Sequence, residues 1–584
     1  MKSVKKAMLF ALAGTICVGA TACGANPSSG DEESKTANIK AIICGYDNDW
    51  LKDNIQRFNA LYKEEGYEVK LVLEDSDINS VYDVKNKRKN DTDLYFDYNK
   101  VNMLVDSSYS VMREEGVCLL EDLSDVFDSV ALNSEKKEEG SKTIGEKIES
   151  KNAALLNRCR YTGLSSSQEK YPGLYALPNA TSTTGIYLNK KALTTLGYSM
   201  DDLLTTDALL DMCDEIVEGY DINEKDYLTK FFPIAYAGQN AGGYPGYMFD
   251  YYLAQYMGEE DYINFWKFNP KQGTVQENGY SVYEDPAILE SLRIISELVN
   301  TDLTQAGYAS ATHGAAQGRV FTGTSNEGYK QGSLFMVSGD WMYKESEKDY
   351  EKYLNDVIAI KAPVISALGM KLGLCGKTHE VKVDDYQGRK DHCPECETKL
   401  REVVKLADEY NYEQKSNAEI ARQTGVSEKN VERIRAARGY VIGGEGENVA
   451  FMPSYSNAKK VAKLFLRHLF SNDWQKIFEE KALVNSVLDM GETADVSSMN
   501  DRQRSLYEKT KGYNAKTLYP DKSNKLRMAI GGYFPATSTN LGVFFGLAYS
   551  HKYSAPQFTA ETVYKNNKEY IKLNWQVYLK AAGL

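Results

Sequence analysis

Three short strand-patterned runs near the start, each followed by a helix-patterned stretch, constrain this chain most. Residues 38–44 (NIKAIIC) form the first, 68–74 (EVKLVLE) the second and 93–98 (DLYFDY) the third. Between the first two, Ile55, Phe58, Leu61 and Tyr62 recur at helical spacing over residues 51–67. Asn48 or Asp49 can cap that helix, and Gly66 marks its end. Strand, helix and strand in this order give an α/β sheet. In such sheets ligands sit beyond the C-terminal ends of strands. That points to residues 46–50 after the first strand, and to Asp97 and Tyr98 at the end of the third.

Ahead of the first strand the chain carries Lys2, Lys5 and Lys6, then an apolar run over residues 7–22. This is the charged and apolar layout of a secretory signal. At 16 residues the run is short for a membrane span, which needs about 20. Ala20-Thr21-Ala22-Cys23-Gly24 resembles a lipobox, with Ala20 where leucine is more usual. On that resemblance residues 1–22 are a lipoprotein signal and Cys23 is lipidated; the alternative is ordinary cleavage at Ala22. Palmitate-type chains gain about 0.8 kcal/mol per buried methylene, so two or three anchor stably. Residues 23–37 read as a flexible tether.

Removing residues 1–22 from 584 leaves 562, too many for a single core, so at least two lobes are expected. The net charge of −13 becomes −16 without the three signal lysines. Such a charge repels phosphate backbones and anionic lipids, which disfavours nucleic-acid binding. Tyrosine is abundant, at 42 residues. Its flat face and hydroxyl suit sugars, though the excess leans only slightly that way.

Further along, residues 134–151 form a mixed charge run that reads as a solvated helix face. Residues 206–218 and 286–300 carry helical periodicity. Aromatic residues crowd 244–256, and residues 333–341 read as a strand ending in a turn. Residues 459–478 and 564–579 read as long amphipathic helices.

Four pieces in order resemble the family 1 extracellular solute-binding proteins of ABC importers, the group related to maltose-binding protein and within it the sugar-binding lipoproteins. Tyr175 and Pro178, then Gly185-Ile186-Tyr187-Leu188-Asn189, look like that family's "Y-x-L-P … YN" crossing between lobes. Gln255-Tyr256-Met257-Gly258 is similar to its "W-x-Q-Y-x-G" helix. Residues 333–341 resemble its "AAM … GDW" strand and turn. Residues 450–455, then 458–470, look like its "IPAYS … A-x-x-FL-x-F" strand and helix. The resemblance implies a two-lobe periplasmic-binding-protein-like α/β fold (type II), with a hinge crossed more than once. It implies a ligand caught in the cleft by lobe closure and passed to a membrane permease. The lobes are then 38–183 with 448–485, and 184–447 with 486–584; the second includes an unusual segment, 371–440. The family suggests a monomer and no catalytic activity.

Within that frame, Trp341 after Gly339-Asp340 can stack on a pyranose, and Asp340 can accept from hydroxyls. The other reading is a core tryptophan beside a solvated aspartate. Trp50 follows the same logic. Asp97 can accept from a sugar hydroxyl or cap a helix. Asn179 both donates and accepts, and Tyr244, Tyr247 and Tyr455 can form walls. His468 reads as a helix packing residue; His313 and His551 have no partner visible in sequence.

Cysteine usage divides in two. Cys17 leaves with the signal, while Cys44, Cys118, Cys159 and Cys213 are scattered, as free buried thiols are. Cys375, His379, Cys393 and Cys396 have the types and short spacings of a structural zinc site. A disulfide outside the cell, or unlinked thiols, are the other readings, and no other cofactor is expected. Residues 417–439 resemble a helix-turn-helix, with Gly425 at the turn and Ser427 as a cap. Export and net charge make this a packing unit rather than a DNA reader. Asp75, Asp77 and Asn79 hint at a calcium loop, but Ser80 replaces its glycine and Asn86 its glutamate, so this is read as a loop.

The sequence therefore points to a lipid-anchored binding subunit of an ABC importer, on the extracytoplasmic face of the membrane, with a carbohydrate as ligand. The rivals are an exported glycan-active enzyme, a receptor for a peptide or polyamine, and a glycan-binding scaffold lipoprotein. An enzyme needs two singled-out carboxylates across a cleft, and no motif here provides them.

Overall fold

The structure is a computed structural model. It describes residues 33–86, 91–98, 118–161, 173–180, 182–219, 231–240, 244–299, 303–304, 310–323, 332–409, 416–443, 448–490, 499–511, 515–520, 524–531 and 559–584. Cys17, Cys23, most of the tether and His551 lie outside them, as does the side chain of Cys159. No helix among the described residues is long and apolar enough to cross a membrane.

The strands that set the architecture are β1 (Thr36–Ile42), β2 (Glu68–Asp75), β3 (Leu94–Tyr98), β4 (Leu177–Ala180), β5 (Thr184–Asn189), β6 (Phe232–Ile234), β7 (Ser333–Gly339), β8 (Val357–Ile360), β9 (Tyr440–Ile442) and β10 (Asn448–Phe451). The helices needed below are α1 (Asp49–Leu61), α2 (Tyr244–Met257), α3 (Met342–Tyr350), α4 (Ala367–Lys371), α5 (Pro394–Glu409), α6 (Asn417–Thr424), α7 (Glu428–Gly439), α8 (Lys459–Leu469), α9 (Asn472–Ala482) and α10 (Asp501–Lys511).

Two mixed sheets organise the molecule. The first runs β2-β1-β3-β10-β4, with β1 parallel to β2 and β3, and β10 antiparallel to β3 and β4. The second runs β6-β7-β5-β8, with β5 antiparallel to both its neighbours. Strands β4, β5, β8 and β10 are buried along their whole length. A strand buried on both faces reads as a nearly continuous apolar run, which is why 357–360 is VIAI. Each sheet has its own core. Trp50, Phe58, Phe96, Phe465 and Phe478 belong to the first; Leu188, Phe249, Tyr252, Trp266 and Leu292 belong to the second.

The chain crosses between the sheets repeatedly. It leaves β4 at Ala180 and enters β5 at Thr184, and it returns between Ile442 and Asn448. Beyond α9 it crosses again, since Val487 and Leu488 lie in the first core while Ser505 of α10 accepts from the Ala359 amide of β8.

Several elements differ from the sequence reading. The first strand begins at Thr36, inside the expected tether, where Ser34 N–H reaches Asn457 O at 2.9 Å. Within the charge run, Glu138–Thr143 is a strand paired antiparallel to Val130–Leu132, not a helix face. Asn133 Oδ1 accepts from the Glu135 and Lys137 amides, and Lys136 takes a positive φ, so a hairpin turn forms there. The helix expected over 459–478 is two helices, α8 and α9. Ser471 is extended at the join, its hydroxyl donating to His468 O at 2.8 Å. The C-terminal helix likewise breaks at Asn574, into Ala560–Leu573 and Trp575–Ala582. His468 packs among Phe58, Tyr62 and Trp474, 2.8 Å from Tyr62 Oη. Its burial pushes the imidazole pKa down to about 4.

Candidate functional site

The ends of β1 and β7 meet face to face across the seam between the two sheets. After β1, Asp47 adopts a positive φ and its amide donates to Cys44 O. Asn48 Nδ2 donates back to Ile42 O at 2.9 Å. This tight turn holds Gly45 toward the second lobe, while Tyr46 packs edge-on against Phe478 in the first core, ring centroids 5.9 Å apart. After β7, Asp340 and Trp341 form the turn into α3. A Cβ on Gly339 would lie 2.0 Å from Trp341 Cζ3, so only glycine lets the indole fold back over its own strand. A Cβ on Gly45 would lie 2.8 Å from both Trp341 Cβ and Glu345 Oε1. The seam is therefore shut at this point, with Asp49 facing Lys344 across it at 3.8 Å.

Three of the expected aromatic residues come together here. Tyr244 and Tyr247, on α2, have ring centroids 5.9 Å apart, and Tyr247 meets Trp341 edge-on at 6.1 Å. Burial, with the Glu345 carboxylate nearby, pushes the Tyr244 phenol up to about 12. From the first lobe, Tyr98 is pushed up to about 12 by burial and by the charges of Cys44, Asp97 and Glu345. Tyr46 is raised further by burial, with Cys44, Tyr98 and Asp340 adding to it. Both phenols thus sense charges set around the seam. Glu345 accepts from Gln317 Nε2 at 2.6 Å.

Asp340 is more than a cleft-wall acid. It is 1% exposed, and its Oδ2 accepts from Thr183 N at 3.0 Å and Thr183 Oγ1 at 3.2 Å. Its own amide donates to Thr183 O. It thereby pins the first crossing strand, and only Oδ1 lacks a partner among the described residues. Burial raises the carboxyl pKa, partly offset by the Lys509 ammonium; burial lowers the Lys509 pKa, partly offset by Asp340. Other buried polar atoms without partners among the described residues follow the same line. They include both amide atoms of Asn179, Oδ1 of Asn48, Oδ1 of Asn448 and the hydroxyls of Ser182 and Ser338. Asn448 Nδ2 lies 3.9 Å from Cys44 Sγ. Buried polar groups in native proteins are nearly always satisfied, so these atoms have bonding capacity left over.

Other expected site residues sit elsewhere. Trp50 is fully buried, packed edge-on against Phe96 and Phe478, with Nε1 donating to Asp47 O. It is core, because helix α1 turns that face onto the sheet. Trp50→Leu is expected to cost about 1–3 kcal/mol in urea unfolding and to leave ligand affinity unchanged. Asp97 is buried within its own lobe, accepting from Ser80 Oγ at 2.5 Å and Tyr98 N at 2.7 Å. Tyr455 reaches Asp83 O at 3.5 Å, a contact within the first lobe. Sequence reasoning missed Gly45 and Glu345. The strand-end rule reached Tyr46, within residues 46–50, and Tyr98 by name; it stopped one residue short of Gly45, and nothing in the sequence singles out Glu345.

No protein-family model matches this chain, and no curated protein matches its sequence. Solved structures do match. The bacterial solute receptor AcbH, described as having an exclusive preference for β-D-galactopyranose, is 13% identical, with a TM-score of 0.51, over 92% of this chain and 98% of that one. A protein from the study of xylan utilisation by the thermophilic bacterium Caldanaerobius polysaccharolyticus is 12% identical, with a TM-score of 0.52, over 92% and 100%. A chitin oligosaccharide binding protein is 12% identical, with a TM-score of 0.50, over 92% and 100%. At such identities the likeness establishes the fold, which is the two-lobe fold of solute-binding proteins.

Proposed function

We propose that this chain is the substrate-binding subunit of an ABC importer and captures a carbohydrate, an oligosaccharide by preference, by closing its lobes. The observation that carries the reading is the aromatic trio Tyr244, Tyr247 and Trp341, gathered at the seam where Gly45 of the first lobe meets Trp341. Aromatic faces suit the C–H face of a sugar, and amides with a carboxylate suit its hydroxyl rim. The solved proteins of the same fold, named above for sugars, support the ligand class. Closure is favoured by contacts that exist only when the lobes meet, such as Gly45 on Trp341. In this reading the chain is a binding protein and not an enzyme. Residues 38–183 with 448–485 form one lobe, and 184–447 with 486–584 the other. Cys23 carries the lipid that keeps the monomer on the extracytoplasmic face, near its permease.

The test is thermal unfolding of the chain from residue 24 against a panel of oligosaccharides, with peptides and polyamines as controls. A ligand at about 100 times its dissociation constant adds about 2.7 kcal/mol. A shift with one sugar class is expected. A shift with a control ligand alone would overturn the sugar assignment while keeping the receptor reading. Hydrolysis products without a shift would overturn both.

A further inference from the structure

Away from the seam, on the second lobe, the segment that departs from the resemblance holds a compact cluster. Cys375, His379, Cys393 and Cys396 each offer one ligand atom, and these four atoms lie within 4.8 Å of one another. His379 Nε2 is 3.1 Å from Cys375 Sγ and 3.5 Å from Cys396 Sγ. Zn–S bonds of about 2.3 Å and Zn–N bonds of about 2.0–2.1 Å, set tetrahedrally, separate their ligand atoms by about 3.5–3.8 Å. The cluster is already of that size, so a single ion can draw it together through side-chain adjustment.

Two knuckles build it. The first follows α4, where Leu374 N–H returns to Gly369 O at 3.2 Å and Gly376 N–H to Gly373 O at 2.8 Å. Gly373 and Gly376 have φ of 60° and 83°. These left-handed positions, which other residues adopt only with strain, turn the chain sharply so that Cys375 and His379 face one point. The second knuckle opens α5. Pro394 starts the helix, Glu397 N–H reaches Cys393 O at 3.0 Å, and Cys396 is buried on the first turn. The knuckles are fitted to each other. A Cβ on Gly369 would lie 3.0 Å from Cys396 O, and Lys399 Nζ donates to Leu374 O at 3.0 Å. Met370 Sδ accepts from Cys393 N–H at 3.3 Å.

We propose that Cys375, His379, Cys393 and Cys396 bind one structural zinc ion that clasps residues 372–393 to the start of α5. Three sulfurs and one nitrogen complete a tetrahedron and leave no position for water, which makes the site structural and not catalytic. Binding converts the thiols to thiolates and releases their protons. A disulfide would use two of the three sulfurs and leave His379 and the third without a role, and all three are free thiols here. The clasp secures more than a loop. Cys396, Leu400, Val403 and Val404 of α5 pack with Ile420, Val431 and Ile434 of α6 and α7 in the second core. Gly425, in the left-handed conformation, and Ser427, capping α7 through Asn430 N–H, shape that pair as a packing unit.

The mature chain, exported by cells grown with zinc, is expected to carry one equivalent of zinc by mass spectrometry. After reduction and chelation, titration with Co(II) is expected to give the intense d–d and thiolate charge-transfer bands of a tetrahedral site at one equivalent, which zinc then bleaches. Cys375→Ser and His379→Ala each lose tight stoichiometric binding or shift the bands, while Cys118→Ser does not. If a ligand variant fails to fold, the wild-type cobalt spectrum alone decides. An octahedral cobalt spectrum, absence of zinc from the exported chain, or a Cys393–Cys396 disulfide in chain grown with zinc would each overturn the proposal.

Discussion

Gly45→Val is expected to weaken ligand binding about 5- to 150-fold without contacting the ligand. Gly45 sits on the first lobe, and a Cβ there would lie 2.8 Å from Trp341 Cβ on the second. Trp341 Cβ cannot swing away by a side-chain rotation, because it is fixed to the backbone of the turn into α3. Forcing a branched side chain into that space costs the closed state about 1–3 kcal/mol. The open state has no such contact and is unaffected. A ligand that binds only the closed form loses affinity by the fraction of that form removed. Calorimetric titration with the sugar found in the panel measures the loss, and denaturant unfolding of the unliganded chain should stay close to that of the wild type. Equal affinity in Gly45→Val would mean that closure at this seam is not part of binding. Gly339→Ala gives a contrasting result. Its Cβ would lie 2.0 Å from the Trp341 ring edge, so it displaces the indole itself and weakens stacking even where closure is unimpaired.

The sequence exposed the strand ends better than the residues that matter at them. Period and length placed β1, β2, β3 and β7 to within two residues, because apolar runs between turn residues have few other solutions. The rule that ligands lie past strand ends led to residues 46–50 and to Asp97 with Tyr98. It could not tell which of these faces the other lobe. Gly45 and Trp50 lie five residues apart around the turn into α1, and helix phase sends Trp50 into the core while the turn presents Gly45 to Trp341 across the seam. A face of that kind is set by the first turn of a helix, where boundaries are hardest to read. Asp340 was legible as an acid beside a tryptophan. Its bond to Thr183 was not, since 157 residues separate them. The cysteine cluster was more legible, because short spacing between ligand types is itself the chemical requirement.

The second large effect concerns that same aspartate. Lys509→Met is expected to destabilise the chain by about 3–5 kcal/mol at pH 7, while the double variant Asp340→Asn/Lys509→Met is expected to lose less than this single one. Both groups are almost fully buried, at 1% and 2% exposure. Lys509 Nζ lies 3.5 Å from Tyr187 Oη and packs against Gly185, at the start of β5. Desolvation is the largest influence on each, and it outweighs their attraction, since the carboxyl pKa is raised and the ammonium pKa lowered. The signs follow from linkage. Asp340, raised in the fold, contributes stability that is whole below the ordinary carboxylate range and is lost as pH climbs through the folded value. Lys509, lowered in the fold, contributes stability that is whole above the ordinary lysine range and is lost as pH drops through the folded value. Both costs therefore coincide around neutrality, where only mutual attraction limits them. Removing Lys509 alone strands a buried carboxylate, and its penalty should shrink as the pH is lowered through about 6 and Asp340 takes up a proton. Removing both charges at once deletes both desolvation costs, and the amide oxygen that Asp340→Asn introduces can still accept from Thr183 N–H. Urea midpoints of the four proteins across the acid-to-alkaline range test this. Single losses that simply add in the double variant would show that the two charges are not coupled. A double variant more stable than Lys509→Met would place the cost of the pair at the first crossing strand, where stability is set against the motion that lobe closure requires.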